Sequence, residues 1–178
     1  MKRIKLYIAV SLDGYIARTD GSLDWLIELP YPTYQNHDFN DLMNSIDTII
    51  MGGKTYHEFM KFCAELPYKD KTTYVVARHN TNLNEADNVI FITENVIERI
   101  SDLKKESGKD IWLVGGGKII TTLLNRSLID EMQICYIPLI LGKGIPLFPD
   151  NPKESKWKLT GKKVYESGIL KVVYQREK

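Results

Sequence analysis

Hydrophobic and polar positions follow two alternating periods along most of the chain. Residues 5–11 (KLYIAVS) form an apolar, β-rich run and predict a first strand. Comparable short runs recur at 47–51, 72–77, 89–93 and 110–114, and the last (DIWLV) has the content of a strand buried on both faces. Between these runs the spacing becomes helical. Phe39, Leu42 and Met43 share one face of 38–45, with Asp38 placed to cap it. Tyr56, Phe59, Met60 and Cys63 share a face of 54–64, and Ile97, Ile100 and Leu103 share a face of 96–105, which Gly108 ends. A further helix is expected over 118–125.

Two stretches break the pattern. Residues 11–25 carry Asp13-Gly14 and Asp20-Gly21, both turn dipeptides, and read as a long loop; 29–34 holds two prolines and reads as irregular. The last quarter changes character. Residues 131–141, 157–166 and 169–175 are β-like, and Ser167-Gly168 joins the last two with hairpin chemistry. Strands alternating with helices, then three strands, place the chain in the α/β class. The expected architecture is one domain over 1–178, a three-layer αβα arrangement. Its central sheet is mostly parallel, with a C-terminal antiparallel hairpin at one edge.

Composition changes this picture little. The 178 residues are 43% hydrophobic and 26% charged, with 24 basic and 23 acidic residues, so net charge drives binding neither to nucleic acid nor to an anionic membrane. The start, MKRIKLYIAVSLDG, imitates a leader, but Lys5 interrupts the apolar run and Asp13-Gly14 turns the chain; a buried strand fits better. No stretch approaches ~18 apolar residues, so no membrane-crossing helix is expected. Cys63 and Cys135 lie in unrelated contexts without CxxC or Cys/His spacing. That argues against a structural zinc site and suits a reducing cytoplasm.

The candidate chemistry lies in two turns of one design: buried strand, glycines, lysine, helix. They are Ile49-Ile50-Met51-Gly52-Gly53-Lys54-Thr55 and Trp112-Leu113-Val114-Gly115-Gly116-Gly117-Lys118. Glycines admit a ligand close to the backbone, the following helix offers unpaired N–H groups, and lysine adds a charge. Such a pair suits a phosphate or diphosphate. Neither turn is a P-loop: the leading glycine of GxxxxGK[ST] falls at Thr48 in the first, and Ile119 replaces the hydroxyl residue in the second. Nor is there a Rossmann fingerprint, because position 120 is isoleucine and the first βα turn lacks glycines.

These motifs, in this order, resemble the dihydrofolate reductase-like fold, and within it the C-terminal reductase domain of the bifunctional riboflavin-biosynthesis deaminase/reductase. The resemblance spans the whole chain. It is carried by Ser11-Leu12-Asp13-Gly14-Tyr15-Ile16-Ala17 with Asp24-Trp25, by Met51-Gly52-Gly53-Lys54-Thr55-Tyr56, by Val114-Gly115-Gly116-Gly117, and by 138–148 (PLILGKGIPLF). It implies NADPH as cofactor and hydride transfer to a small heterocycle such as 5-amino-6-(5-phosphoribosylamino)uracil, with dihydrofolate reduction and non-catalytic nucleotide binding as alternatives. It also implies a homodimer, to which 138–148 would contribute.

The resemblance assigns roles. Ala9 and Ile16 would flank the nicotinamide carboxamide through backbone atoms. Residues 13–25 would form a flap, with Asp13 as turn residue or proton donor and Trp25 beside the nicotinamide or in the core. Gly52, Gly53, Lys54 and Thr55 would meet the diphosphate and adenosine side, and Val114, Gly115, Gly116, Gly117, Lys118 and Ile119 would cradle the diphosphate opposite. Val76, Ala77 and Arg78 would border the adenosine ribose and its 2′-phosphate, where a guanidinium fork is apt. Asp38 and Tyr136 are the substrate-side candidates; Asp41 lies near Asp38, and the count used for dihydrofolate reductases lands on Asn36. The chain departs from the family's usual arginine at Gly53 and serine at Ala77. No H-x-E or PCxxC deaminase motif is present, so a stand-alone reductase is expected. His37, His57 and His79 are scattered and suggest no catalytic pair.

Overall fold

The computed structural model describes residues 1–27, 34–63, 66–78 and 86–177. Parallel strands β1 (Ile4–Ser11), β3 (Ile46–Gly52), β4 (Thr72–Val76), β5 (Val89–Ile92), β6 (Asp110–Gly115) and β7 (Glu131–Ile137) join an antiparallel pair, β9 (Trp157–Val164) and β10 (Leu170–Arg176), in one eight-stranded sheet. Its order is β5-β4-β3-β6-β1-β7-β10-β9. A two-stranded antiparallel sheet pairs β2 (Tyr15–Ala17) with β8 (Ile145–Pro146).

Helices α2 (Tyr34–Ser45) and α3 (Gly53–Phe62) cover one face, and α4 (Val96–Lys105) and α5 (Gly117–Asn125) the other. Strand alternation explains the division. On β6, Ile111 and Leu113 point to the α4–α5 side and Trp112 and Val114 to the α2–α3 side. Helix α5 buries Ile119, Ile120, Leu123 and Leu124 against β1, β6 and β3 residues such as Leu6, Leu113 and Ile50. A third, smaller cluster at the β7–β10 end contains Trp25, Cys135, Ile137 and Ile169.

The three-layer mostly parallel architecture agrees with the sequence reading. The expected long loop over 11–25 holds more order than its turn dipeptides suggest: it carries β2 and a short helix, α1 (Asp24–Ile27). The strand expected over 131–141 ends at Ile137, because Pro138 has no N–H to continue a ladder. Helix α2 begins at Tyr34, four residues before the expected cap. The hairpin loop is Glu166-Ser167-Gly168, closed by Tyr165 N–H to Ile169 O at 2.9 Å, with Gly168 at φ +84°. Residues 64–65, the segment 28–33, His79 and the side chains of Asn36 and His37 lie outside the described residues.

Candidate active site

The site begins where the sheet splits. Strands β1 and β6 pair only at Ile4–Leu6 with Ile111–Leu113, whereas β1 stays paired to β7 as far as Ser11 with Ile137. Beyond Leu6 and Leu113 a crevice opens between 7–11 and 114–116. The Tyr7 carbonyl accepts a hydrogen bond from Trp112 Nε1 at 3.3 Å. From β1 the chain continues to β3 on one side, and from β6 it crosses to β7 on the other, so this is the sheet's topological switch point.

Both glycine turns end at this crevice. Helices α3 and α5 start without side-chain caps, at Gly52 and Gly116. A Cβ added at Gly52 would lie 3.7 Å from Gly115 O and 3.8 Å from Gly116 N, and one added at Gly116 would lie 3.4 Å from Thr55 Oγ1. The two amino termini therefore meet side by side, directing free N–H groups and two positive dipole ends to one place. Gly115 sits at φ +129°, a conformation glycine adopts at least cost, and the Gly115–Gly116 peptide is cis. Ile119 Cγ2 packs beside Gly52, while Val114 is half-buried on the α2–α3 side. Lys54, Arg78 and Lys118 are exposed around this place and have no ion pair among the described residues. The donor set fits a dinucleotide diphosphate.

Gly117 has a different reason to be glycine. A Cβ there would sit 2.6 Å from Pro146 O and 2.7 Å from Pro149 Cδ, so the position serves packing against the 146–149 segment. Gly53 is likewise packed: its added Cβ would approach Ala77 Cβ to 3.0 Å. The two departures from the family pattern are thus neighbours, small against small. Val76 lies on the α4–α5 side and Ala77 on the other, with Arg78 just beyond the end of β4.

The flap region is pinned in its first half. Asp13 Oδ1 accepts from Ser11 Oγ at 2.6 Å and Leu141 N at 3.0 Å, and Oδ2 accepts from Gly142 N at 2.7 Å. These donors, the Ser11 hydroxyl foremost, hold Asp13 below the ordinary carboxylate range. With both oxygens accepting hydrogen bonds, the exposed Asp13 carboxylate clasps the 141–142 backbone to the Asp13-Gly14 turn. Strand β2 pairs with β8 at Tyr15 and Ala17, on either side of Ile16, whose side chain is buried beside the main core. Trp25 is 4% exposed and packs against Cys135 and Ile137, with Tyr7 and Ala9 adjoining; its Nε1 has no hydrogen-bond partner among the described residues.

The two substrate-side candidates part company. Asp38 lies on the α2–α3 face. Tyr136 packs on the opposite face with the α4–α5 core, because it neighbours Cys135 on a strand of period two. Asp38 meets residues the sequence reading passed over. Oδ1 accepts from Lys163 Nζ at 3.0 Å, Oδ2 accepts from the Tyr165 hydroxyl, and Lys171 Nζ lies 3.5 Å from Oδ2. Burial works against its charge, yet Tyr165 and the two ammonium groups keep Asp38 below the usual range. Lys163 and Lys171 pair directly in the hairpin register, and Lys171 also pairs with Cys135, itself in register with Ala9. A lysine at an inward strand position was the legible signal. Burial foremost pushes the Tyr7 phenol, beside Cys135, far above its ordinary value.

The model of the RibD C-terminal domain family matches residues 2–171. The chain belongs to the RibD C-terminal domain family. This RibD-type chain is 37% identical to the uncharacterized protein YyaP of Bacillus subtilis, over 97% of its own length and 94% of that relative. A crystal structure from Shewanella sp. PV-4, described as a candidate riboflavin biosynthesis protein, superposes with TM-score 0.86 at 31% identity over 99% of both chains. Two structures with lower identity share the fold. The Thermotoga maritima diaminohydroxyphosphoribosylaminopyrimidine deaminase/5-amino-6-(5-phosphoribosylamino)uracil reductase gives 0.72 at 15% identity, covering 99% of this chain and 57% of that one. Enterococcus faecalis dihydrofolate reductase, solved with NADP(H), gives 0.70 at 19%, covering 99% and 97%. The RibD-type fold is therefore dihydrofolate reductase-like.

Proposed function

We propose that the protein is an NADPH-dependent reductase that delivers hydride to a small heterocycle of the 5-amino-6-(5-phosphoribosylamino)uracil type. One observation carries the reading: the uncapped amino termini of α3 and α5 meet at the crevice between β1 and β6. When bound there, the nicotinamide cofactor supplies the hydride; the protein supplies position. Gly52, Gly53, Thr55, Gly115, Gly116 and Gly117 present backbone N–H groups to the diphosphate, and Lys54 and Lys118 offset its charge. Val76, Ala77 and Arg78 border the adenosine ribose, with Arg78 on the 2′-phosphate. Ala9 and Ile16 hold the carboxamide through backbone atoms, Val114 and Ile119 support the glycine turn, and Trp25 excludes water above the acceptor carbon. Water supplies the proton, since Asp13 is engaged in its clasp. The working state is a cytoplasmic homodimer, to which the exposed side chains of Leu12 and Ile140 contribute.

The test is to titrate NADPH and NADH, then to follow loss of NADPH absorbance with the ribosylaminopyrimidine and with dihydrofolate. No cofactor uptake at ~1 mM, the weak end of specific binding, overturns the proposal. Uptake without oxidation on either substrate would instead mark a nucleotide-binding protein. Arg78→Ala is expected to weaken NADPH by ~10-fold or more while leaving NADH unchanged, the size of one charge-assisted contact to phosphate.

A further inference from the structure

The surroundings of Asp38 specify the kind of substrate. Its oxygens are taken by Lys163, Tyr165 and Lys171, so one carboxylate faces two ammonium groups and the cluster carries a net positive charge. Lys163 is half-exposed and spends its charge partly in water, but the Lys171 side chain is 11% exposed. It has three donors and, among the described residues, one carboxylate oxygen at the long distance of 3.5 Å and the Tyr7 ring at 5.2 Å. A buried ammonium with so little to bond to carries a standing desolvation cost that another acceptor would relieve. Asp41 lines the same depression between α2 and β10, of about 280 Å³, but at its exposed side, where water screens it.

A second group points the same way. Trp25 Nε1 is a buried donor with no partner among the described residues, and the indole packs against Cys135, the residue in register with Lys171 on one side and Ala9 on the other. Between the crevice strand and the hairpin this face offers N–H groups, while its carboxylate is already bonded.

We propose that Lys171 and the Trp25 indole form a subsite for an acceptor-rich, anionic group of the substrate, with Asp38, itself bonded by the Tyr165 hydroxyl, holding Lys171 in place. The inference rests on the reading of the crevice as the reductase site and adds to it the substrate's charge and hydrogen-bonding sense. A heterocycle edged with carbonyls or a carboxylate complements the subsite; an amino-substituted, cationic edge finds donors opposed to donors.

Two pyrimidines of similar size test this by calorimetry, with and without NADPH: orotate, an anion with carbonyl edges, and 2,4-diaminopyrimidine, a donor-edged base. Wild-type protein is expected to bind orotate at least ~10-fold more tightly, the worth of one buried charge-assisted contact. Lys171→Met is expected to remove that preference, and Lys171→Arg to retain most of it. Equal or tighter binding of the diaminopyrimidine by wild type overturns the inference, as does unchanged orotate affinity in Lys171→Met. NADPH affinity is read separately for each protein. Loss of cofactor uptake in wild type sinks the proposed function while the arm without NADPH still reports on Lys171, and unchanged uptake in the variants certifies their folding.

Discussion

At the scale of single residues, neighbouring glycines answer to different demands. Gly116 faces Thr55 across ordinary van der Waals distance, with room for a methyl group, whereas Gly117 is pressed on Pro146 and Pro149. Gly116→Asp should therefore leave a folded protein that no longer takes up NADPH, because a charge and a Cβ occupy the place where two helix dipoles meet. Gly117→Ala should cost ~1–3 kcal/mol of stability from overpacking, read by denaturant unfolding. If the two variants exchanged their effects, the assignment of the turn would be wrong. The sequence showed three glycines after a strand; only the fold distinguishes an approach position from a packing one, since the 146–149 segment lies thirty residues away.

Asp38 gives a second residue-scale expectation. Its carboxyl is held below the unfolded value, so it binds fewer protons folded than unfolded as pH falls through that region. Its contribution is complete above pH ~4, where the unfolded carboxyl is ionised, and is lost as pH drops through the lower folded value. Asp38→Asn should flatten the acid limb of the stability curve below pH ~4 relative to wild type. An acid limb of unchanged slope in chemical unfolding at graded pH would remove Asp38 from the linkage.

Among elements, the segment after β1 shows what local patterns conceal. Asp13-Gly14 reads as a turn, and it is one, with Gly14 at φ +86°. Its partners, however, sit more than 120 residues on. Leu12 N–H donates to Leu139 O, Leu147 N–H to Gly14 O, and the Asp13 clasp takes the amides of Leu141 and Gly142. The β2–β8 pairing then ties residues 15–17 to the loop that packs on the start of α5. Residues 13–17 are thereby tied through 145–149 to the start of α5, while 18–24 carry their own Arg18–Asp24 pair and turn. Asp13→Ala should speed hydrogen exchange at Leu141 and Gly142 by ~10-fold or more, the loss of charge-assisted bonds, while exchange in β1 and β6 stays as it was. Exchange unchanged at both amides would show the clasp to be idle. The helical and parallel-strand periods were legible because each is a local repeat. The two-residue strand β8 was not, because its partner strand lies about 130 residues earlier; nor was the Lys163–Lys171 pairing, because it depends on how the 166–168 loop closes between Tyr165 and Ile169.

In the whole molecule, charges divide by end of the sheet. At the amino ends of the strands, cations are paired: Lys2 with Asp47 at 2.6 Å, Lys5 with Asp110 at 2.8 Å, and Arg3 with Glu131 at 2.8 Å. At the carboxyl ends, Lys54, Arg78 and Lys118 stand without ion pairs among the described residues. A net charge of +1 conceals this polarity, which places fixed positive charge where open α/β sheets take ligands. The two sets should respond differently to salt. Lys2 and Lys5 are largely buried and little screened, whereas the three exposed cations lie within reach of mobile ions. Raising ionic strength from ~0.01 to ~1 M shortens the Debye length from about 30 to about 3 Å, so NADPH affinity should fall several-fold while the unfolding midpoint moves little. A cofactor affinity indifferent to salt would mean that the unpaired cations play no part in binding. A midpoint that fell in step with affinity would mean that the buried pairs, too, are open to solvent. The comparison thus separates the end of the sheet that holds the fold together from the end proposed to bind the dinucleotide.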